Sequence, residues 1–116
     1  MEDRFSQQLK KGVLEMLVLR LICQAPTYGY ELIQRLKVES NGRFQLKEGT
    51  LYPILYRLED EGLIRATWSQ GEGRVAPKKI YEATETGVLE YIRRLSIWQE
   101  FTETVNVLIQ EEEKDD

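Results

Sequence analysis

Two short runs carry the residues most able to do chemistry. In "KEGTLYPILYR" (47–57), Lys47, Gly49, Thr50, Tyr52, Pro53, Tyr56 and Arg57 combine positive charge, hydroxyl donors and small size. In "QGEGRVAPKK" (70–79), Arg74, Lys78 and Lys79 surround a tip rich in glycine, where only Glu72 is acidic. Guanidinium, ammonium and hydroxyl groups donate to phosphate oxygens, and carboxylates repel them. The chemistry on offer is a non-covalent grip on a polyanion, with double-stranded DNA as the expected partner. Thr50 can reach a base edge or a phosphate, and the tyrosine hydroxyls can donate to phosphate oxygens.

The spacing around the first run says what must position it. Leu51, Ile54, Leu55 and Leu58 fall at i, i+3, i+4 and i+7, the buried stripe of a helix from about Glu48 to Gly62. The donors occupy the opposite side, as a helix lying in a major groove requires. Lys47 adds a cation where the helix dipole already favours anions. Pro53 is expected in the first turn, where its missing N–H costs little. Glu59, Asp60 and Glu61 follow, so only the N-terminal half could meet phosphates. Taken singly, each run has a plainer reading: tyrosines packed on a neighbouring element, or charges on a solvated hairpin tip.

The remaining chain supplies a frame. From about Phe5 to Gln24 the pattern is helical, with Leu9, Val13, Leu14, Leu17, Leu21 and Ile22 on a broad stripe and Met16, Val18 and Leu19 on other faces. A helix apolar on so many sides has to be covered on more than one. Ala25-Pro26 ends it, and Thr27 is the expected N-cap of a second helix over about Tyr28 to Glu39, stopped by Asn41-Gly42. "LIRATWS" (63–69) and "KKIYEA" (78–83) predict two strands of a hairpin. Helical periodicity returns near Thr84 and lasts to about Glu111, with Tyr91, Leu95, Trp98, Val105 and Leu108 on one stripe. The fold expected is mainly α with a small β-hairpin: a winged helix-turn-helix over residues 1–84, a C-terminal dimerisation helix over 85–111, and a disordered acidic tail over 112–116. A helix of this length suits dimerisation better than folding back on its own domain. Leu95, Trp98, Phe101 and Val105 are its expected interface residues.

Charge divides along the same boundary. The first 84 residues hold 13 Lys+Arg against 11 Asp+Glu, and the last 32 hold 3 against 9. A mildly basic part and an acidic part imply two jobs. The acidic region leaves room for a second function class, a winged helix used for protein–protein contact without DNA. The absence of histidine removes the usual base near neutral pH and the commonest metal ligand. The single cysteine, Cys23, sits on an apolar helix and reads as packing. Neither an enzyme nor a metal or other cofactor is expected. No signal peptide or membrane span is visible, and a cytoplasmic location is expected.

The runs "TYGYELIQRL" (27–36), "EGTLYPILYRLEDEGLI" (48–64) and "KKIYEATETG" (78–87), with Trp68 and Trp98, together resemble the PadR family of bacterial transcriptional repressors. The resemblance implies a homodimer of winged helices joined through the last helix and bound to a palindromic operator. In some small members of the family a planar aromatic effector stacks on a tryptophan of that helix at the dimer interface, and Trp98 sits at the matching place. A tryptophan such as Trp98 is more often a plain interface residue than a ligand platform, and Trp68 reads as wing or core packing. Glu100 and Glu103 would bias a site at Trp98 toward cationic or electron-poor rings. One departure is notable: Glu82-Ala83 stands where the family usually carries Arg-Leu, which implies weaker contact between wing and phosphate.

Overall fold

Asp3 opens the first helix by accepting the Ser6 N–H on its carboxylate at 2.8 Å, which satisfies one of the donors that a helix start leaves free. The computed structural model describes residues 3–114. They form α1 (Arg4–Gln24), α2 (Gly29–Glu39), α3 (Glu48–Asp60), β1 (Ile64–Trp68), β2 (Lys79–Ala83) and α4 (Glu85–Lys114). The order is that of a winged helix with one added long helix.

The core gathers the C-terminal half of α1 (Val18, Leu19, Leu21, Ile22), Leu32 and Leu36 of α2, the four stripe residues of α3 (Leu51, Ile54, Leu55, Leu58), and Leu63, Ile64 and Tyr81. The stripe that defines α3 is thus buried as its spacing requires. On α1 the division differs from the expectation. Val18 and Leu19 enter the core, while Phe5 and Leu9 in the first half are exposed.

Local chemistry sets the corners. Thr27 is not the N-cap of α2. That position belongs to Tyr28, which makes no side-chain cap. Thr27 instead forms an isolated antiparallel bridge with Tyr81, N–H to carbonyl in both directions at 3.0 and 2.7 Å, and its hydroxyl donates to Glu31. Pairing with a buried strand outweighs capping here. Asn41 (φ 53°) and Gly62 (φ 74°) end α2 and α3 in the left-handed conformation. After α3, Leu63 N–H reaches the Leu58 carbonyl and Gly62 N–H the Glu59 carbonyl, closing the helix end sharply before β1.

β1 and β2 are antiparallel with Ala66 opposite Tyr81 and Trp68 opposite Lys79. Arg65 and Glu82 also face each other, and Nε donates to Oε1 at 2.6 Å. The carboxylate that departs from the family pattern therefore has a cross-strand cation beside it. Trp68 is 69% exposed and does not join the core, because the hairpin extends past the body of the domain there.

Thr84 immediately precedes α4, and its hydroxyl accepts the Gly87 N–H and donates to the Gly62 carbonyl. The helix continues through Lys114, beyond the expected end near 111. Glu and Lys are good helix formers and allow the extension; Asp115 and Asp116 lie outside the described residues. Thirty residues make α4 about 45 Å long. Among the described residues no helix is long and apolar enough to cross a membrane.

Candidate nucleic-acid interface and partner groove

The N-terminal half of α3 presents Lys47, Gly49, Thr50 and Pro53 as exposed residues. A Cβ on Gly49 would meet nothing within 4 Å, so the helix backbone there faces open space. Pro53 is inside the helix, not in its first turn, because α3 starts at Glu48 and makes Pro53 the sixth helical residue. Proline has no N–H, so the Gly49 carbonyl lacks its usual helical donor on this exposed side.

Tyr52 and Tyr56 differ in their surroundings. Tyr56 is 53% exposed. Tyr52 is half-buried, and its hydroxyl lies over the start of α2, where a Cβ on Gly29 would stand 2.8 Å from it. The two rings lie 6.3 Å apart. Arg57 reaches back to α1, with Nε 3.3 Å from Glu15 Oε1, although its side chain remains more than half exposed. The acidic end of α3 is partly neutralised by its own chain: Glu59 lies 4.0 Å from Lys79 Nζ, and Glu61 lies 3.3 Å from Arg94.

On the wing, Arg74 and Lys78 are exposed and Lys79 is half-buried. Lys78 Nζ stands 4.2 Å from the Tyr28 ring centroid, and Lys79 Nζ 5.9 and 5.6 Å from those of Tyr56 and Tyr81. The Tyr81 hydroxyl is buried without a hydrogen-bond partner among the described residues. Burial, and then the nearby Tyr52, Glu59 and Tyr56, pushes it up to about 12. The strand ends are clasped by Ser69, whose N–H donates to the Lys78 carbonyl at 2.8 Å while its hydroxyl accepts the Lys78 N–H at 2.9 Å.

The helix and wing runs meet as one surface through these contacts. Sequence reasoning missed a third contributor. Lys10 and Lys11 of α1, with Gln7 and Gln45, line a hollow of about 380 Å³ beside Thr50 and Arg57. The doubled lysine in "QLKKGV" (8–13), just before the apolar half of the helix, is the available signal.

A larger groove of about 950 Å³ separates α1 from α4. Leu9, Val13, Met16 and Leu17 form one wall, Ile97, Trp98, Phe101 and Val105 the other, and Phe44 lies at the α2–α3 side. Leu95 is half-buried and does not line it. Glu100 and Glu103 are also outside the lining, whereas Lys10, Arg43 and Arg94 belong to it. The polarity expected around Trp98 is therefore reversed, because the helix turns those two carboxylates away from the groove. Phe101 is 62% exposed and Leu9 59%, so the two walls of the groove leave large apolar side chains on the surface of the single chain.

A helix-turn-helix with a basic hairpin beside its third helix is a winged-helix module. The chain matches the family described as "Transcriptional regulator PadR-like family" over residues 18–93. It belongs to that family. An uncharacterized protein of Lysinibacillus sphaericus is 32% identical over 101 residues, covering 86% of this chain and 91% of its own. Among solved structures, a PadR family transcriptional regulator from Eggerthella lenta is similar with a TM-score of 0.80 at 30% identity, covering 90% of this chain and 88% of that one. A PadR-like transcriptional regulator from Bacillus cereus is similar with a TM-score of 0.75 at 35% identity, covering 89% and 97%.

Proposed function

We propose that this protein is a homodimeric, sequence-specific DNA-binding repressor whose operator is palindromic. The observation that carries the reading is the exposed, carboxylate-poor start of α3 beside a wing that offers Arg74 and Lys78. That surface fits a major groove and its flanking phosphates. Thr50, Pro53 and Tyr56 are the groove-facing residues of this reading, with Lys47 at the helix start. Tyr52 and Arg57 support the helix from behind as well as lying near the DNA.

The second copy is the natural occupant of the groove between α1 and α4. Its α4 would cover Phe101 and Leu9, which the single chain leaves largely exposed, and Val105, which it leaves partly so. A planar aromatic effector stacked on Trp98 would lie in the same groove, and Lys10, Arg43 and Arg94 in its lining favour a ligand that carries negative charge. Such a ligand would act on DNA binding by shifting the two domains relative to each other.

The direct check is a mobility-shift assay on the DNA upstream of the protein's own gene. A specific complex should survive an excess of unrelated duplex. Binding no tighter to that DNA than to the unrelated duplex, with no effect of Thr50→Ala and Tyr56→Ala together, would refute the reading.

A further inference from the structure

Of the cations between the wing tip and β2, Arg74, Lys78 and Lys79, the last faces a different way. β2 residues alternate sides, so Lys79 shares a face with the buried Tyr81. Its ammonium lies near two rings and one carboxylate: Tyr56 and Glu59 from α3, Tyr81 from its own strand. Arg74 and Lys78 are exposed, Lys78 with its ammonium over the Tyr28 ring at the start of α2, while Lys79 is half-buried and is the one that faces α3.

We propose that Lys79 is a positioning residue: its ammonium pins the hairpin to the recognition helix and so sets how selectively that helix reads DNA, in place of holding a phosphate itself. The proposal rests on the DNA-binding reading above. A cation already near a carboxylate and two ring faces has to abandon them to reach a phosphate, so the exchange gains little. The same contacts join β2 to α3, and Tyr56 is both a ring beneath Lys79 and a residue on the outward face of that helix. A shift of Lys79 therefore moves a side chain beside the DNA. The buried Tyr81 hydroxyl has no hydrogen-bond partner among the described residues, so toward α3 this part of β2 is held by packing and by the Lys79 ammonium.

The test uses the full-length protein and fluorescence anisotropy with two labelled duplexes, one selected by the wild type from a random pool and one scrambled. Four proteins are compared across a range of salt: wild type, Lys79→Met, Lys79→Arg and Arg74→Ala. Methionine keeps the length of the stem and removes the charge. Lys79→Met should cut the ratio of selected to scrambled affinity by about fivefold, the worth of one partly exposed cation–ring contact. Its slope of log affinity against log salt should stay at the wild-type value. Arg74→Ala should flatten that slope by about 0.9 for each phosphate released, about twice that in a dimer. Lys79→Arg should keep the selectivity, since a guanidinium also seats on rings.

A Lys79→Met slope that flattens like that of Arg74→Ala would overturn the proposal, and so would an unchanged affinity ratio. A measurement without DNA separates the two readings. Hydrogen exchange at the Ser69 and Lys78 amides should quicken in Lys79→Met and not in Arg74→Ala, whatever the protein binds. Unchanged exchange would refute the pinning role itself. A wild type that prefers no duplex would sink the DNA reading alone.

Discussion

Gly87 of α4 lies directly under the Leu63 carbonyl. A Cβ there would overlap the carbonyl oxygen and stand 2.8 Å from its carbon. The close crossing is held by Thr84, whose N–H and hydroxyl both bind the Leu63 carbonyl. Since the obstacle is backbone, Gly87→Ala cannot be absorbed by a side-chain rotation. It should cost on the order of 3 kcal/mol, the upper end for overpacking, read as a lowered urea midpoint. A variant as stable as the wild type would show that α4 does not seat on the turn before β1 as described.

Gly29 and Tyr52 make a softer contact of the same kind, since the neighbour is a hydroxyl 2.8 Å from where a Cβ would stand. Gly29→Ala should cost about 1–2 kcal/mol, and less in a Tyr52→Phe background, where the obstructing oxygen is gone. A double-mutant cycle measures this. Additive costs would mean that Tyr52 does not rest on the start of α2.

Glu90 accepts from Arg93 at 2.8 Å and from Arg94 at 2.7 Å, and Arg94 also reaches Glu61 beyond the end of α3. These hydrogen bonds, first Arg93 and then Arg94, lower the Glu90 carboxyl to about 2 from 4.5. A carboxyl with a depressed folded value stabilises fully above its unfolded value and loses that contribution as pH falls toward the folded one. The wild type should therefore lose stability between about pH 5 and pH 2, by no more than about 1 kcal/mol given solvent screening of the arginines. Glu90→Gln should lack this part of the acid dependence. Identical pH profiles for the two proteins would contradict the role of the pair.

The groove predicts assembly. Phe101→Asp or Val105→Asp would set a charge in an apolar seam at a cost of several kcal/mol if a second copy covers it. Both residues are on the surface of the single chain, so the variants should stay folded by circular dichroism and sediment as monomers. A folded variant that remains dimeric at low micromolar concentration would assign the interface elsewhere.

The elements were legible because their periods were strong. The α3 stripe at i, i+3, i+4 and i+7 and the change to a two-residue period after Gly62 both appear in the structure at nearly the positions expected. What stayed hidden depended on contacts between distant residues. Thr27 looks like a cap until Tyr81 arrives from the wing to pair with its backbone. Lys78 and Lys79 are adjacent letters, yet the fold sets them over different rings, Lys78 over Tyr28 and Lys79 over Tyr56 and Tyr81, and leaves only Lys78 fully on the surface. Leu95 shares a stripe with Trp98, yet α1 approaches α4 at an angle that leaves Leu95 out of the groove. The start of α3 at Glu48 is where the spacing puts it, and counting from there already makes Pro53 the sixth helical residue, past the first turn.

The central claim is that two copies of this chain read two related half-sites on DNA. Selection from a random duplex pool by the full-length protein, followed by sequencing and native mass spectrometry of the enriched complex, tests it most directly. The account predicts a palindrome with half-site centres about 10 base pairs apart, or a multiple of that, so that two recognition helices enter grooves on one side of the duplex. The complex should contain two protomers per duplex. A pool that shows no enrichment, or a single unrepeated site bound by one protomer, would contradict it.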